Sequence, residues 1–276
     1  MLAITLTTRA KIKGYLEGFI RGLVEEYKGR EILLPTSSSE YLSRHSSNGE
    51  LKPFQAALVP PAIIRINQFE RGLSTGLGNS YEECARLIAL DHHQDVRRGT
   101  DFKLEVSLAA FAEAEIQKQK YESTTGNKPS FNQMVDAVLN AQQDNDLSIK
   151  SVRADLYILA KDGTEFLFEI KSPKPNKGQC LEVLQRLLRF HALRRTKRPQ
   201  TQAYYAMPYN PYGVTRESYR WNYVINYLPF DEAVLLGHEF WRIVGGETTY
   251  TELLEIYLEV GRENSKFMLD SLAFGF

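Results

Sequence analysis

The spacing of apolar residues predicts several helices in the first half of the chain. The segment 130–143 has the pattern of a capped helix, and another helix is expected to begin near residue 79, where Asn79 or Ser80 can act as the cap. The Ser-rich residues 35–50 predict an exposed loop. The first 28 residues also predict a helix, because five apolar side chains recur on one face: Leu16, Phe19, Ile20, Leu23 and Val24.

The middle of the chain has the short apolar runs of a β-sheet. Residues 152–160 and 164–171 are rich in strand-forming side chains. Between them, Lys161-Asp162-Gly163 predicts a three-residue hairpin loop, with glycine where a left-handed backbone is favoured. A Pro-rich turn then leads to a predicted helix at 179–195 and a further strand at 201–207.

The composition is that of an ordinary globular protein. Of the 276 residues, 43% are hydrophobic and 25% are charged, so a full core can form without disulfides or a structural metal. Cys84 and Cys180 form no C-x-x-C pair and are interpreted as reduced thiols. No apolar run approaches the roughly 18 residues that span a membrane, so a cytoplasmic protein without a membrane partner is expected.

The hairpin predicts where three charged side chains lie. If Ala160 pairs with Thr164, the antiparallel register places Asp155 opposite Glu169. Because side chains alternate along a strand, Glu169 and Lys171 project from one face. The other face then carries the apolar side chains of this strand: Phe166, Phe168 and Ile170.

Two carboxylates and an ammonium on an otherwise apolar hairpin indicate a metal site. The carboxylates repel each other, and a divalent cation removes that penalty. Oxygen ligands favour Mg²⁺, which one or two carboxylates commonly hold. Asp155 and Glu169, with the carbonyl of Ile170, are the predicted ligands. Lys171 would orient or help to deprotonate a water that attacks a phosphodiester. The alternative is a salt-bridged surface hairpin.

A basic segment follows directly. The net charge of +0 argues mildly against a nucleic-acid partner, but phosphate contacts depend on local patches. Residues 171–198 carry nine Lys or Arg side chains against one acid, Glu182. On the predicted helix, Arg186 and Arg189 lie in a polar stripe that suits phosphate contacts. A solvated helix face is the alternative interpretation.

Asp155 followed by Glu169-Ile170-Lys171 resembles the PD-(D/E)XK nuclease motif, with Ala154 in place of the usual proline. Longer blocks between about residues 53 and 270 resemble type II restriction endonucleases of the TdeIII-like group. These blocks are FERGLSTGLGNSYEECARLIA, FEIKSPKPNKGQ, MPYNPYG and FWRIVGGETTYTELLEIYLEVG.

This resemblance implies an α/β restriction-endonuclease-like fold, in which helices flank a mixed central sheet and further helices are added at both ends. It implies a single nuclease domain over 1–276, with a mainly helical part at 1–150, a catalytic core at 151–210 and a C-terminal helical part at 211–276, broken at Gly245-Gly246.

The activity that the resemblance implies is Mg²⁺-dependent cleavage of double-stranded DNA by a homodimer. The site would be a short palindrome such as GGNCC, and the products would carry 5′-phosphate and 3′-hydroxyl ends. A glutamate on a preceding helix would complete the metal site. Glu82 fits this role, with Glu83 as its competitor. Alternatively, both acids merely complement a helix N-terminus.

Base recognition in a GC-rich site calls for Arg or Lys in the major groove. The candidates are Arg216 and Arg220 after the PYNPYG loop, and Lys174 and Lys177 after the catalytic strand. The sequence has no phosphate-binding glycine loop, so no nucleotide cofactor is expected. His191 is interpreted as structural.

Two other functions are compatible with the same residues. One is a nuclease of this fold that recognises DNA structure or lesions. The other is an inactive DNA-binding module, which the intact Asp155, Glu169 and Lys171 set argues against.

Overall fold

The computed structural model describes residues 2–28, 37–47, 49 and 51–274. The chain divides into two compact units. One consists of Met1–Thr8 and Gly78–Leu253, and the other consists of Arg9–Leu77 and Leu254–Phe276.

The first unit is built on a five-stranded mixed sheet in the order β1-β2-β3-β4-β5. The strands β1, β2 and β3 are antiparallel, whereas β4 and β5 continue the sheet in parallel. The architecture is the predicted α/β restriction-endonuclease-like fold. The strands are β1 (Asp95–Ser107), β2 (Leu147–Leu159), β3 (Glu165–Ile170), β4 (Thr201–Met207) and β5 (Val234–Leu236).

Helices flank the sheet within the first unit, and the second unit is helical. In chain order they are α1 (Leu6–Lys28), α2 (Ser38–Leu42), α3 (Pro53–Leu58), α4 (Pro61–His92), α5 (Leu108–Ser123), α6 (Phe131–Asn140), α7 (Lys177–Arg194), α8 (Asn222–Tyr227), α9 (Phe230–Ala233), α10 (His238–Gly245) and α11 (Thr249–Leu269). None of these described helices has both the length and the apolarity needed to cross a membrane.

The predicted hairpin between β2 and β3 is confirmed in register. The Ala160 amide donates to the Thr164 carbonyl at 2.9 Å, and Leu156 pairs with Phe168. Gly163 has a φ of +87°, the left-handed conformation expected of it. Continuing the register by one residue places Asp155 beside Glu169.

The core of the first unit lies between the sheet and helices α5, α6 and α7. Leu167 of β3 and Tyr205 of β4 are buried in the same cluster as Leu184 and Leu187 of α7. Because Leu167 and Glu169 are two residues apart on a strand, they face the same side of the sheet. Helix α7 therefore covers the face from which the predicted catalytic side chains project.

Helices α6 and α7 each begin after a short polar N-cap residue. Ser130 and Gln133 form a capping box at the start of α6, which confirms the helix predicted at 130–143. Asn176 and Gln179 form the same motif at α7, which begins at Lys177, two residues before the predicted start at residue 179. These caps fix α7 directly after the loop that leaves β3.

Two predictions for the N-terminal half are wrong. Residues 79 and 80 do not begin a helix, since α4 runs without a break from Pro61 to His92. Gly72 and Gly76 lie within this helix and pack closely against aromatic rings. A Cβ at Gly76 would lie 2.5 Å from the Phe19 ring, and one at Gly72 would lie 2.7 Å from Tyr27. The predicted loop at 35–50 contains helix α2 within its described residues.

The second unit packs α1 and the N-terminal part of α4 around a small core. Val24, Phe69 and Leu272 are buried together, and Tyr27 contacts Phe69 edge to face. At its surface, the carboxylate of Glu259 accepts from Arg9 and Lys13. This unit supplies none of the predicted catalytic side chains.

Candidate active site

Asp155, Glu169 and Lys171 meet where β2 and β3 run side by side. Lys171 Nζ lies 2.8 Å from Glu169 Oε1 and 3.1 Å from Asp155 Oδ2. The Glu169 side chain is fully buried, whereas those of Asp155 and Lys171 are 13% and 42% exposed. The structure thus brings together the three side chains that the hairpin register placed on one face.

Backbone contacts hold this cluster at the end of β3. The Ile170 amide donates to Asp155 Oδ2 at 2.8 Å, so the carboxylate is fixed against the neighbouring strand. The Lys171 amide donates to the Ala206 carbonyl at 3.2 Å, which extends the pairing with β4. The backbone of Lys171 is therefore held against β4 at the point where β3 ends.

The charges of the cluster are compensated by two cations. Arg186 of α7 donates to Glu169 Oε1 at 2.6 Å, on the oxygen that Lys171 also contacts. Burial favours the neutral amine of Lys171, but its bonds to Glu169 and Asp155 outweigh burial and raise its pKa. Lys171 is therefore an ammonium at neutral pH and acts as a cation.

One buried carboxylate oxygen of the cluster has no hydrogen-bond partner among the described residues. Glu169 Oε2 is buried and accepts no hydrogen bond from the described residues, which is costly for a carboxylate oxygen. Those residues contain no cluster of three or more Asp, Glu, His or Cys side chains arranged to hold a metal. Mg²⁺ needs only one or two carboxylates and keeps several waters. Asp155 and Glu169 therefore fit this ion.

The charges of Asp155 and Lys171 act on Glu82, whereas Glu83 is held by arginines. Burial and then the negative charge of Asp155 raise the pKa of Glu82, while Arg98 and Lys171 oppose this rise. Glu82 Oε2 accepts from Arg98 Nε at 3.0 Å. Glu83 is instead bonded to Arg86 at 2.6 Å, one turn along α4, and this bond lowers its pKa. Neither acid lies at a helix N-terminus, because α4 begins at Pro61.

The arrangement of two acids and a lysine on a mixed sheet agrees with comparisons to known proteins. The chain matches the family model "Type II restriction endonuclease, HinfI" over residues 9–261. It is 46% identical over 265 residues to type II restriction enzyme HgiCII of Herpetosiphon aurantiacus, covering 96% of this chain and 97% of HgiCII. Type II restriction enzyme HgiEI of the same organism is 46% identical over 269 residues, with the same coverage.

The chain belongs to the HinfI family of type II restriction endonucleases.

A member of this family is a site-specific deoxyribonuclease that acts on DNA, as the sequence predicted. A more distant relative is type II restriction enzyme MjaII of Methanocaldococcus jannaschii, 24% identical over 222 residues, which are 75% of this chain and 58% of MjaII. The match is to the HinfI family, so the TdeIII-like grouping and membership of the PD-(D/E)XK superfamily stay predictions.

Two predicted DNA contacts lie on the segment that follows the catalytic strand of this HinfI-family chain. Lys174 is exposed, with its ammonium 5.1 Å from the ring centre of Tyr212 and 5.7 Å from that of Trp221. Lys177 begins α7 and pairs with Glu122 at 2.7 Å. Their roles as DNA contacts stay predictions.

The predicted arginine contacts differ in how firmly they are held. Arg216 donates to the Glu239 carboxylate and to two backbone carbonyls, so it anchors its own loop. Arg220 is exposed and donates to the backbone carbonyl of Tyr219 at 3.0 Å. Arg189 lies 4.5 Å from the Phe111 ring centre. Of these, Arg220 is the side chain most open to solvent.

Arg98, which contacts Glu82, was not predicted as a site residue. Arg98 belongs to β1, whose residues 95–107 mix charged and apolar positions and were not predicted as a strand. The adjacent Gly99 has a φ of +58° and interrupts the ladder at the position opposite Asp155. Because β1 was not predicted, the contact between Arg98 and Glu82 could not be predicted either.

Proposed function

We propose that this HinfI-family enzyme uses Mg²⁺ to hydrolyse both DNA strands within a short GGNCC-like palindrome, leaving 5′-phosphate and 3′-hydroxyl ends. The observation that carries this proposal is the buried Glu169 carboxylate, beside Asp155 and Lys171, with one oxygen unpartnered. The same arrangement supports membership of the PD-(D/E)XK superfamily.

The carboxylates of Asp155 and Glu169 and the carbonyl of Ile170 would hold the ion. When bound, Mg²⁺ supplies Lewis acidity and positive charge for phosphodiester hydrolysis. Asp155 is already held by the Ile170 amide at 2.8 Å, so the site needs little rearrangement. A preorganised carboxylate pair is the favourable starting point for metal binding.

Lys171 contributes a positive charge that is independent of the metal. Its Nζ lies between the two carboxylates and remains 42% exposed, so it can also donate to a phosphate oxygen or orient the attacking water. Charged donors aimed at developing negative charge are a major source of catalysis. Glu82 approaches from α4 and is proposed to complete the site.

Recognition of a palindrome is proposed to require a second copy of the chain. Each chain contributes one Asp155, Glu169 and Lys171 set, and a double-strand cut needs two such sets in opposite orientation. A two-fold symmetric homodimer provides them. Lys174, Lys177, Arg189 and Arg220 are proposed to contact the DNA around each site.

Digestion of phage DNA tests this proposal directly. We expect the purified protein to give discrete fragments with Mg²⁺ and none with EDTA. Run-off sequencing of the fragment ends then gives the recognition site and the overhang. A smear would contradict sequence specificity and favour a nuclease directed by DNA structure, whereas the absence of cleavage under both conditions would favour an inactive binding module.

A further inference from the structure

The Glu169 carboxylate is held asymmetrically. Its Oε1 atom receives both cations of the site, Lys171 at 2.8 Å and Arg186 at 2.6 Å. Its Oε2 atom is buried and has no hydrogen-bond partner in the part of the chain that the structure describes. A wholly buried carboxylate can turn about its terminal bond unless its neighbours prevent it, so two bonds to one oxygen define where the other oxygen points.

Arg186 is itself held from the opposite side. Its Nη2 donates to Glu182 at 2.5 Å, one turn earlier on α7, while Nη1 reaches Glu169. The Arg186 side chain is 27% exposed and Glu182 is 63% exposed. A planar guanidinium can bond two carboxylates at once with fixed geometry, which a lysine ammonium on a flexible stem cannot do as well.

We propose that Arg186 is a positioning residue, which holds Glu169 by Oε1 so that Oε2 is free to bind the divalent metal. This inference rests on the proposed function. It replaces the phosphate contact predicted for Arg186 from the sequence, because Nη1 of the guanidinium already donates to Glu169.

Loss of Arg186 has two opposing effects on the metal. It removes a positive charge near the site, which by itself favours a cation. It also leaves Lys171 as the one remaining cation on a buried carboxylate, so Glu169 turns to share both oxygens with Lys171. If positioning dominates, Mg²⁺ binding weakens. If Arg186 is only a counter-ion, Mg²⁺ binding strengthens.

The experiment is a thermal unfolding titration with Mg²⁺ alone, without DNA, paired with cleavage assays across the same concentrations. A ligand at concentration L that binds only the folded state stabilises it by RT ln(1 + L/Kd), so the dependence of Tm on Mg²⁺ concentration gives the half-saturation (Kd) of the metal site. For Arg186→Met we expect a lower metal-free Tm, about a tenfold rise in the Mg²⁺ Kd fitted to the Tm shifts, and a similar rise in the Mg²⁺ needed for half-maximal cleavage.

Arg194→Met is the matched control. Arg194 lies on the same helix, is 22% exposed and pairs with Glu165 on the same strand at 2.8 Å. Its replacement removes the same charge and the same type of ion pair away from the metal ligands. We expect Arg194→Met to lower Tm without changing the Mg²⁺ concentration for half-saturation.

Two milder variants keep the inference testable if Arg186→Met does not fold. Arg186→Lys retains the charge but cannot bond Glu169 and Glu182 at once in the same geometry. Glu182→Gln removes the ion pair between Glu182 and Arg186. Both should raise the Mg²⁺ half-saturation by a smaller factor than Arg186→Met, and an unchanged value in both would overturn the inference.

The possible outcomes separate this inference from the proposed function. A wild-type protein that shows neither a Tm shift nor cleavage with Mg²⁺ would contradict the proposed function itself. A wild-type response that Arg186→Met shares, or exceeds at lower Mg²⁺, would overturn the positioning role alone. A phosphate contact would instead appear as a salt dependence of DNA binding reduced by about one unit of slope, with the Mg²⁺ titration unchanged.

Discussion

At the scale of single residues, the candidate active site depends on the compensation of buried charge. Glu169 has no solvent exposure and Asp155 very little, yet each is in contact with Lys171. Removing a cation from a buried carboxylate is destabilising, because the buried charge is left uncompensated. Lys171 and Arg186 therefore stabilise the metal-free fold through Glu169.

Glu82 and Glu83 provide a test at this scale. We expect Glu82→Gln to reduce cleavage by roughly 10–100-fold, as is usual for groups that support metal ligands, because Glu82 senses the charge of Asp155. Glu83→Gln should have the smaller effect, since Glu83 is paired with Arg86. Cleavage rates of the two variants at saturating Mg²⁺ decide between them, and the reverse order would show that Glu83 completes the site.

At the scale of elements, the sequence was most informative where local rules determine geometry. The β2–β3 hairpin could be predicted in register because Gly163 and the alternation of apolar side chains leave one solution. Strand β1 could not, because it is an edge strand with polar positions throughout. Arg98 was missed with it. The start of helix α4 was predicted wrongly because Asn79 and Ser80 have capping side chains but lie inside the helix, which begins at Pro61.

Helix α7 carries a pH-dependent contribution to stability. His191 is fully buried, its Nδ1 lies 2.9 Å from the Thr196 carbonyl, and burial lowers its pKa to about 4. In the unfolded chain the pKa is about 6.5. Above that value the histidine is neutral in both states and the stability is fully present. As the pH falls, the unfolded state binds the proton first, so stability is lost between about pH 6.5 and pH 4.

We expect this histidine to cost about 3 kcal/mol of unfolding free energy between pH 7 and pH 4. Urea unfolding of wild type and His191→Leu at several pH values measures it. The variant is less stable at pH 7, because the Thr196 carbonyl loses a donor, but its stability should fall less steeply on acidification. Parallel pH profiles for the two proteins would show that His191 is not the titrating group.

At the scale of the whole molecule, the net charge of +0 does not prevent an enzyme of this family from acting on DNA. Basic side chains are concentrated after the catalytic strand, where Lys174 and Lys177 lie. The fold, the class of type II restriction endonuclease and the convergence of the hairpin side chains could be predicted from the sequence, whereas the HinfI family was not named. Which basic residues are structural and which are exposed could not be predicted, because ion pairs such as Arg216 with Glu239 join residues that are distant in sequence.

The most direct test of the central claim compares Lys171→Ala with Lys161→Ala in both cleavage and DNA binding. Lys161 lies in the exposed hairpin loop and provides a charge-matched control. We predict that Lys171→Ala lowers the cleavage rate on the order of 10²–10³-fold, the usual effect of losing one charge-stabilising donor. It should still bind cleavable DNA specifically when Ca²⁺ replaces Mg²⁺, and Lys161→Ala should cleave like wild type. Equal cleavage by Lys171→Ala and wild type would contradict an active centre at Asp155, Glu169 and Lys171.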